Sequence, residues 1–71
     1  MSVEVTAPMS GKIIALLCEV GDQVQYEDEL LVLEALKMEN PIFAPADGKI
    51  SEIRTSLGAT VESNQVLLVI D

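Results

Sequence analysis

The sequence contains one unit written twice. Shifted by 37 positions, residues 7–34 align with residues 44–71 without a gap, and ten of the 28 aligned residues are identical. Segments of average composition would share roughly two. The repeat begins with Ala7-Pro8 in one copy and with Ala44-Pro45 in the other. Two copies of one unit in so short a chain predict a fold built around internal symmetry.

Each copy has the pattern of β-strands rather than of helices, because short runs of β-branched residues and leucine are broken by Gly, Pro, Asp and Asn. Runs as short as those around Val24 and Val61 need a neighbouring layer for burial, so the copies are predicted to share one core. The predicted strands are residues 3–6, 12–20, 23–25, 29–34, 40–43, 49–57, 60–62 and 66–70.

The predicted fold class is therefore all-β, a flattened antiparallel eight-strand barrel or sandwich. Its two four-strand halves are expected to be related by a pseudo-twofold axis. Residues 1–71 are predicted to form a single domain, because a chain of this length buries too little surface to divide between two cores. The link between the copies, residues 35–39, is expected to protrude.

Composition excludes several classes of function. The chain has no His and only four basic residues, so a self-contained enzyme and a metal site are not predicted. A formal net charge of −8 argues against nucleic acid and membrane surfaces as partners. No apolar stretch approaches the length of a membrane helix, and the first residues lack the basic start of a signal peptide, so a cytoplasmic location is expected.

The single cysteine, Cys18, is predicted to be a small core residue. Strand parity places it on the same face as Leu16 and Val20. No neighbouring residue suggests a lowered thiol pKa, so a reactive cysteine is the less favoured alternative.

Turn positions give a second prediction. Gly21 and Gly58 follow long strands, where a sharp turn favours positive φ. Glu27 occupies a turn whose counterpart in the second copy is Asn64, a residue that tolerates positive φ better. Glu27 is therefore expected to be mildly strained.

The link requires a turn, yet residues 35–39 contain no Gly, Asn, Asp or Pro. Tight hairpins prefer those residues because one or both central positions need positive φ. A turn built against this preference indicates that its side chains matter, which singles out Lys37. Position alone leaves open that Lys37 is an ordinary solubilising charge.

The residues around Lys37 resemble a known motif. Glu34-Ala35-Leu36-Lys37-Met38 is similar to the Glu-Ala-Met-Lys-Met attachment motif of biotinyl domains, and it differs only at Leu36. The resemblance extends to the Ala-Pro turns and to Gly21-Asp22-x-Val24, so it spans nearly the whole chain. It is closest to the thumbless biotinyl domains, since the two copies align without an insertion.

The resemblance implies that Lys37 is joined to biotin by a biotin protein ligase, with Leu36 and Met38 as the flanking recognition residues. It implies no catalytic residue in this chain. The expected partners are the biotin carboxylase and carboxyltransferase or decarboxylase components of a biotin-dependent enzyme. The carrier would move a carboxyl group between them.

Two alternatives stay open at this point. Lipoyl domains share the fold and modify a hairpin lysine, although their usual motif is Asp-Lys-Ala. An unmodified interaction domain on the same scaffold would leave Lys37 as a surface residue. Whether the parent enzyme is a carboxylase or a decarboxylase is not encoded in these residues.

Overall fold

The computed structural model describes residues 2–71, which form eight β-strands and no helix. The strands are β1 Val3–Thr6, β2 Gly11–Leu16, β3 Gln23–Val24, β4 Glu29–Ala35, β5 Met38–Phe43, β6 Gly48–Ile53, β7 Thr60–Val61 and β8 Val66–Ile70. Consequently, no helix within residues 2–71 is long and apolar enough to cross a bilayer. The all-β prediction is confirmed.

The strands form two antiparallel four-stranded sheets, with orders β1-β8-β6-β3 and β5-β4-β2-β7. Shifting every strand by one repeat converts the first order into the second. Each sheet therefore takes two strands from each copy of the repeat, and neither copy forms a sheet by itself. The result is the predicted sandwich with pseudo-twofold symmetry, elongated to 32 × 17 × 17 Å.

Hydrogen bonds outside the strands repeat with the same offset of 37 residues. The Ala7 amide donates to the Gln65 carbonyl at 2.9 Å, and the equivalent Ala44 amide donates to the Asp28 carbonyl at 2.8 Å. The amide of Gly21 likewise donates to Ile50, as that of Gly58 does to Ile13. Sequence identity in the repeat thus corresponds to shared backbone geometry.

The two long strands were predicted with wrong C-terminal ends. β2 ends at Leu16 rather than at residue 20, and β6 ends at Ile53 rather than at residue 57. The chain leaves one sheet there and crosses to the other, because the Gly21 amide reaches the carbonyl of Ile50 on the opposite sheet. Apolar residues continue through the crossing, so the pattern alone extends the strand.

The parity argument for Cys18 was wrong, although its burial was predicted correctly. Cys18 is 6% exposed and belongs to the core, whereas Val20 is 61% exposed. Parity does not extend past the end of β2 at Leu16. Burial, and secondarily the charge of Asp22, raises the pKa of the Cys18 thiol, which disfavours the reactive thiolate.

The core is one apolar cluster between the two sheets. Both sheets supply it, and consecutive residues are buried in two inner strands, residues 30–31 of β4 and residues 67–70 of β8. Its fully buried members of largest volume are Ile13, Leu30, Leu31, Leu33, Ile50, Leu67, Leu68, Ile70 and Val61. Among residues 2–71, no charged or polar residue is buried as a whole.

One hydroxyl is nevertheless buried without a partner. The Oγ1 atom of Thr55 is inaccessible to solvent and makes no hydrogen bond. The repeat places Cys18 at the equivalent position, where a weakly polar side chain packs into the core. Burying an unpaired hydroxyl costs about 1–3 kcal/mol. This site is therefore a local source of instability.

Thr55→Val is expected to stabilise the chain by about 1 kcal/mol, because a methyl group replaces the unpaired hydroxyl at nearly the same volume. Urea denaturation of both proteins measures the difference, and Thr6→Val, the same exchange at an exposed site, controls for the replacement of hydroxyl by methyl itself. A loss of stability specific to Thr55→Val would show that the hydroxyl has an unrecognised partner.

The turn predictions agree with the backbone. Gly21 and Gly58 have φ of 98° and 86°, and Glu27 and Asn64 have φ of 70° and 69°. Glu27 therefore carries a long side chain in a left-handed conformation that its symmetry counterpart fills with asparagine. Its amide donates to the Ala44 carbonyl at 2.8 Å, so the turn cannot relax without losing this bond.

Glu27→Gly is expected to raise the melting temperature, with a gain of about 0.5–1 kcal/mol from relief of strain, partly offset by glycine's larger unfolded-state entropy. Glu27→Asn, which copies the second half of the repeat, should move the melting temperature in the same direction. Glu27→Gln is the matched control, since it removes the charge but keeps the strain. Equal melting temperatures for the Gln and Gly variants would contradict the argument.

Candidate functional site

The candidate site is the hairpin that joins the two copies. Ala35 at the end of β4 pairs with Met38 at the start of β5, so only Leu36 and Lys37 lie in the loop. Their φ values are 54° and 64°. Positive φ at both central residues is the signature of a type I′ turn, whose twist matches that of the flanking strands. The protruding loop is thus shorter than the five-residue link predicted from the sequence.

Two non-glycine residues in the left-handed region make this turn unusual. Each costs about 1 kcal/mol relative to an ordinary conformation, and glycine or asparagine would avoid most of that cost. The strain is maintained by the ladder between β4 and β5, which is the most extensive strand pairing in the structure. The strand pairing therefore holds Leu36 and Lys37 in a turn conformation that these two residues would not adopt readily by themselves.

The tip is highly exposed. Leu36 is 90% exposed and Met38 is 65% exposed, although both are apolar. Lys37 is exposed between them, and no ion pair involves it among residues 2–71. An accessible primary amine flanked by two solvent-facing apolar side chains is suited to contact with another protein, because two-residue hairpin turns are usually built from Gly, Asn and Asp.

Acidic side chains lie directly below the tip. Glu34 and Glu39 face each other across the two strands, and both are exposed. Like charges at directly opposed positions destabilise a sheet. Lys12 lies opposite Glu34 on the other side, in β2. Two exposed carboxylates therefore lie next to the turn that presents Lys37, and the pair Glu34 and Glu39 is called the acidic rim.

The other two lysines occupy a different environment. Lys12 and Lys49 are equivalent in the repeat, and both are exposed residues within strands β2 and β6. Their backbones belong to sheet ladders, where Lys12 pairs with Thr60 and Lys49 pairs with Gln23. Lys37 alone among the three lies at a turn, so it has the freest approach for an external enzyme.

Asn40 is a residue at this site that sequence reasoning missed. It is half-buried on β5, and its side-chain amide donates to the carbonyls of Met38 at 3.2 Å and Leu33 at 3.4 Å. The repeat contained a signal for it, because the equivalent position in β1 is the apolar Val3. A polar residue at a position that the fold fills elsewhere with valine indicates a local role.

These features define a class of protein. A rigid sandwich of two symmetric halves presents one lysine on a strained hairpin, at a position where the side chain can carry a group outward. Two surface grooves formed within residues 2–71 are lined by other strand and loop residues, and neither includes Leu36 or Lys37. The arrangement is that of a carrier domain, which depends on other components for chemistry.

Comparison with known proteins identifies the family. The profile described as "Biotin-requiring enzyme" matches residues 1–70. The chain therefore belongs to the biotin/lipoyl attachment family.

Individual relatives agree with this assignment. The biotin carboxyl carrier protein of Streptococcus mutans is 45% identical over 64 residues, which cover 90% of this chain and 49% of that protein. The biotin carboxyl carrier protein of acetyl-CoA carboxylase from Solanum lycopersicum is 41% identical over 58 residues, covering 82% of this chain and 83% of that protein. The chain thus spans about half the length of the first of these relatives.

Solved structures show the same fold. The urea carboxylase of Kluyveromyces lactis superposes on the whole of this chain with a TM-score of 0.93 and 27% identity, and this match covers 6% of that enzyme. The relatives named here carry biotin or belong to carboxylases, which favours a biotin carrier over the lipoyl alternative. The matched profile and these names agree with the predicted biotin carrier and with biotin as its covalent cofactor.

Proposed function

We propose that biotin is attached through the side-chain nitrogen of Lys37, with Leu36 and Met38 as the flanking residues that a biotin protein ligase recognises. The observation that carries this proposal is the two-residue turn, which presents Lys37 at the tip with positive φ on both loop residues. The residues fit the cofactor, because covalent attachment needs an exposed amine and no buried pocket in the carrier.

Attachment is an amide-forming step. The neutral amine of Lys37 attacks the carbonyl of an activated biotinyl group, the activating group leaves, and the nitrogen loses a proton. The amine has to give up a proton and the acyl group has to be activated, so the ligase must supply both the activated acyl group and a base.

Bound biotin supplies the group-transfer chemistry, since it accepts a carboxyl group at one active site and delivers it at another. The hairpin holds Lys37 at one point of the domain, and the domain as a whole moves between the two active sites. Tethering makes each visit effectively intramolecular, with local concentrations on the order of millimolar, so tight binding by the carrier is unnecessary. The acidic rim of Glu34 and Glu39 supports weak, charge-steered contact with partners.

The proposal extends to the assembly. The partners are a biotin protein ligase and the carboxylase and carboxyltransferase or decarboxylase components of a biotin-dependent enzyme. Residues 1–71 act as a single biotinyl domain of the thumbless type. The proposed location is the cytoplasm. Direct contact with membranes or nucleic acid is not part of this function.

The test is intact-mass spectrometry of the purified chain after two parallel incubations. One contains biotin, ATP and a biotin protein ligase, and the other contains lipoate, ATP and a lipoate ligase. The expected result is a gain of one biotin less one water in the first incubation and no gain in the second. Lipoylation without biotinylation would contradict the proposal and favour the lipoyl alternative.

A further inference from the structure

The side chain of Asn40 bridges the hairpin behind its tip. Its amide nitrogen lies 3.4 Å from the Leu33 carbonyl oxygen on β4 and 3.2 Å from the Met38 carbonyl oxygen on its own strand β5. Met38 is the first residue after the turn. One side chain therefore joins both strands of the hairpin within four residues of Lys37.

The fold itself does not require a polar residue here. Val3 in β1 is the equivalent of Asn40, and Val3 pairs with Ile70 as Asn40 pairs with Leu33. Val3 packs against the core as a partly buried apolar side chain. The same scaffold position is therefore occupied by valine where no tip has to be held, and by asparagine at the hairpin that carries Lys37.

The strain of the turn explains why such a bridge is needed. Leu36 and Lys37 both have positive φ, a conformation that non-glycine residues adopt rarely. A loop under this strain relaxes by fraying of the terminal pair, Ala35 with Met38, or by a register slip. Hydrogen bonds from Asn40 to carbonyls on both strands oppose these two movements.

We propose that Asn40 is a positioning residue, which fixes the register and orientation of the hairpin tip. A biotin protein ligase then finds Lys37 in a single conformation. The inference rests on the proposed attachment of biotin at Lys37. Asn40 does not touch the reacting amine in this account. It acts through the Met38 carbonyl and the turn.

The test compares wild type with Asn40→Val and Asn40→Asp. Valine copies the residue that the repeat places at position 3, so the fold is expected to keep its melting temperature. Aspartate keeps the shape but turns an acceptor toward two carbonyl oxygens. Two measurements are made on each protein: steady-state biotinylation by a biotin protein ligase, and amide hydrogen exchange of residues 35–39 against the rest of the sheet.

For Asn40→Val, the ligase KM for the carrier is expected to rise about fivefold with kcat unchanged, a factor equal to one ordinary hydrogen bond. Exchange at residues 35–39 should quicken by a similar factor while exchange in β6 and β8 stays the same. Asn40→Asp should show larger changes of both kinds. Thr6→Val, at an exposed strand position away from the hairpin tip, should change neither.

Unchanged exchange at the hairpin in Asn40→Val would overturn the inference, as would faster exchange with an unchanged KM. A uniform loss of protection throughout the sheet would assign Asn40 a merely structural role and overturn it as well. The exchange measurement does not involve biotin. If the ligase failed to modify even the wild type, attachment at Lys37 would be wrong, and the exchange data would report on the bridge separately.

Discussion

Replacing Leu33 by alanine is expected to lower the free energy of unfolding by about 3 kcal/mol. Leu33 is completely buried on β4, where its side chain belongs to the core between the sheets. Truncation removes buried apolar surface and leaves a cavity that a two-sheet sandwich cannot readily close. Total stability for a chain of this length is about 4–10 kcal/mol, so the loss is a large fraction of it.

Leu36→Ala is the matched control, because it makes the same chemical change three residues away at a side chain that is 90% exposed. Its effect on stability should be close to zero, while its effect on recognition by the ligase should be measurable. Urea denaturation followed by circular dichroism gives both free energies. Similar losses in the two variants would mean that the sheet does not bury Leu33 as described.

Gly48→Ala is the second large effect, with an expected loss of about 2–3 kcal/mol from overpacking against backbone. A β-carbon at Gly48 would lie 2.5 Å from Cγ2 of Ile70 and 2.6 Å from the carbonyl oxygen of Asp71. Side chains can rotate away, but this oxygen accepts the Lys49 amide at 3.0 Å. The added methyl group must therefore separate β6 from the end of the chain.

Gly58→Ala provides the comparison for this prediction. Gly48 and Gly58 both have positive φ, of 158° and 86°, but a β-carbon at Gly58 would meet nothing within 4 Å. Its cost should be limited to backbone strain of about 1 kcal/mol. Thermal unfolding of the two variants separates strain from close approach. A larger loss for Gly58→Ala than for Gly48→Ala would contradict the assignment of the Gly48 contact.

The repeat explains why so much of the fold could be predicted from this sequence. Eight strands, their approximate positions and the pseudo-twofold arrangement follow from the alignment of residues 7–34 with 44–71 together with the turn residues. The strand ends after Leu16 and Ile53 did not follow, because apolar residues continue while the chain crosses between sheets. The pattern of apolar residues indicates which residues are buried, but it does not indicate which of the two sheets they pack in.

The exchange of strands between sheets was also beyond the sequence pattern. A repeat indicates that its copies have equivalent environments, but it does not say whether β4 pairs within its own copy or across to the other. In the structure β4 lies between β2 of its own copy and β5 of the second copy. Long-range pairing of this kind depends on the shared core rather than on local propensity.

The position of the hairpin was predictable from the sequence, and its geometry was less so. The absence of turn-forming residues singled out Lys37, and the positive φ values of Leu36 and Lys37 give that absence a physical meaning. The opposed carboxylates of Glu34 and Glu39 and the bridge made by Asn40 depend on strand register, which the sequence did not fix. Strand register therefore determines which side chains surround the amine of Lys37.

The most direct test of attachment at Lys37 is peptide mapping by mass spectrometry of the chain after biotinylation by a biotin protein ligase. Three lysines are available, at positions 12, 37 and 49, and all are exposed. The account predicts one biotin per chain, found only on the peptide that contains Lys37, and no modification of a folded Lys37→Arg variant. Biotin on Lys12 or Lys49, or undiminished labelling of Lys37→Arg, would contradict it.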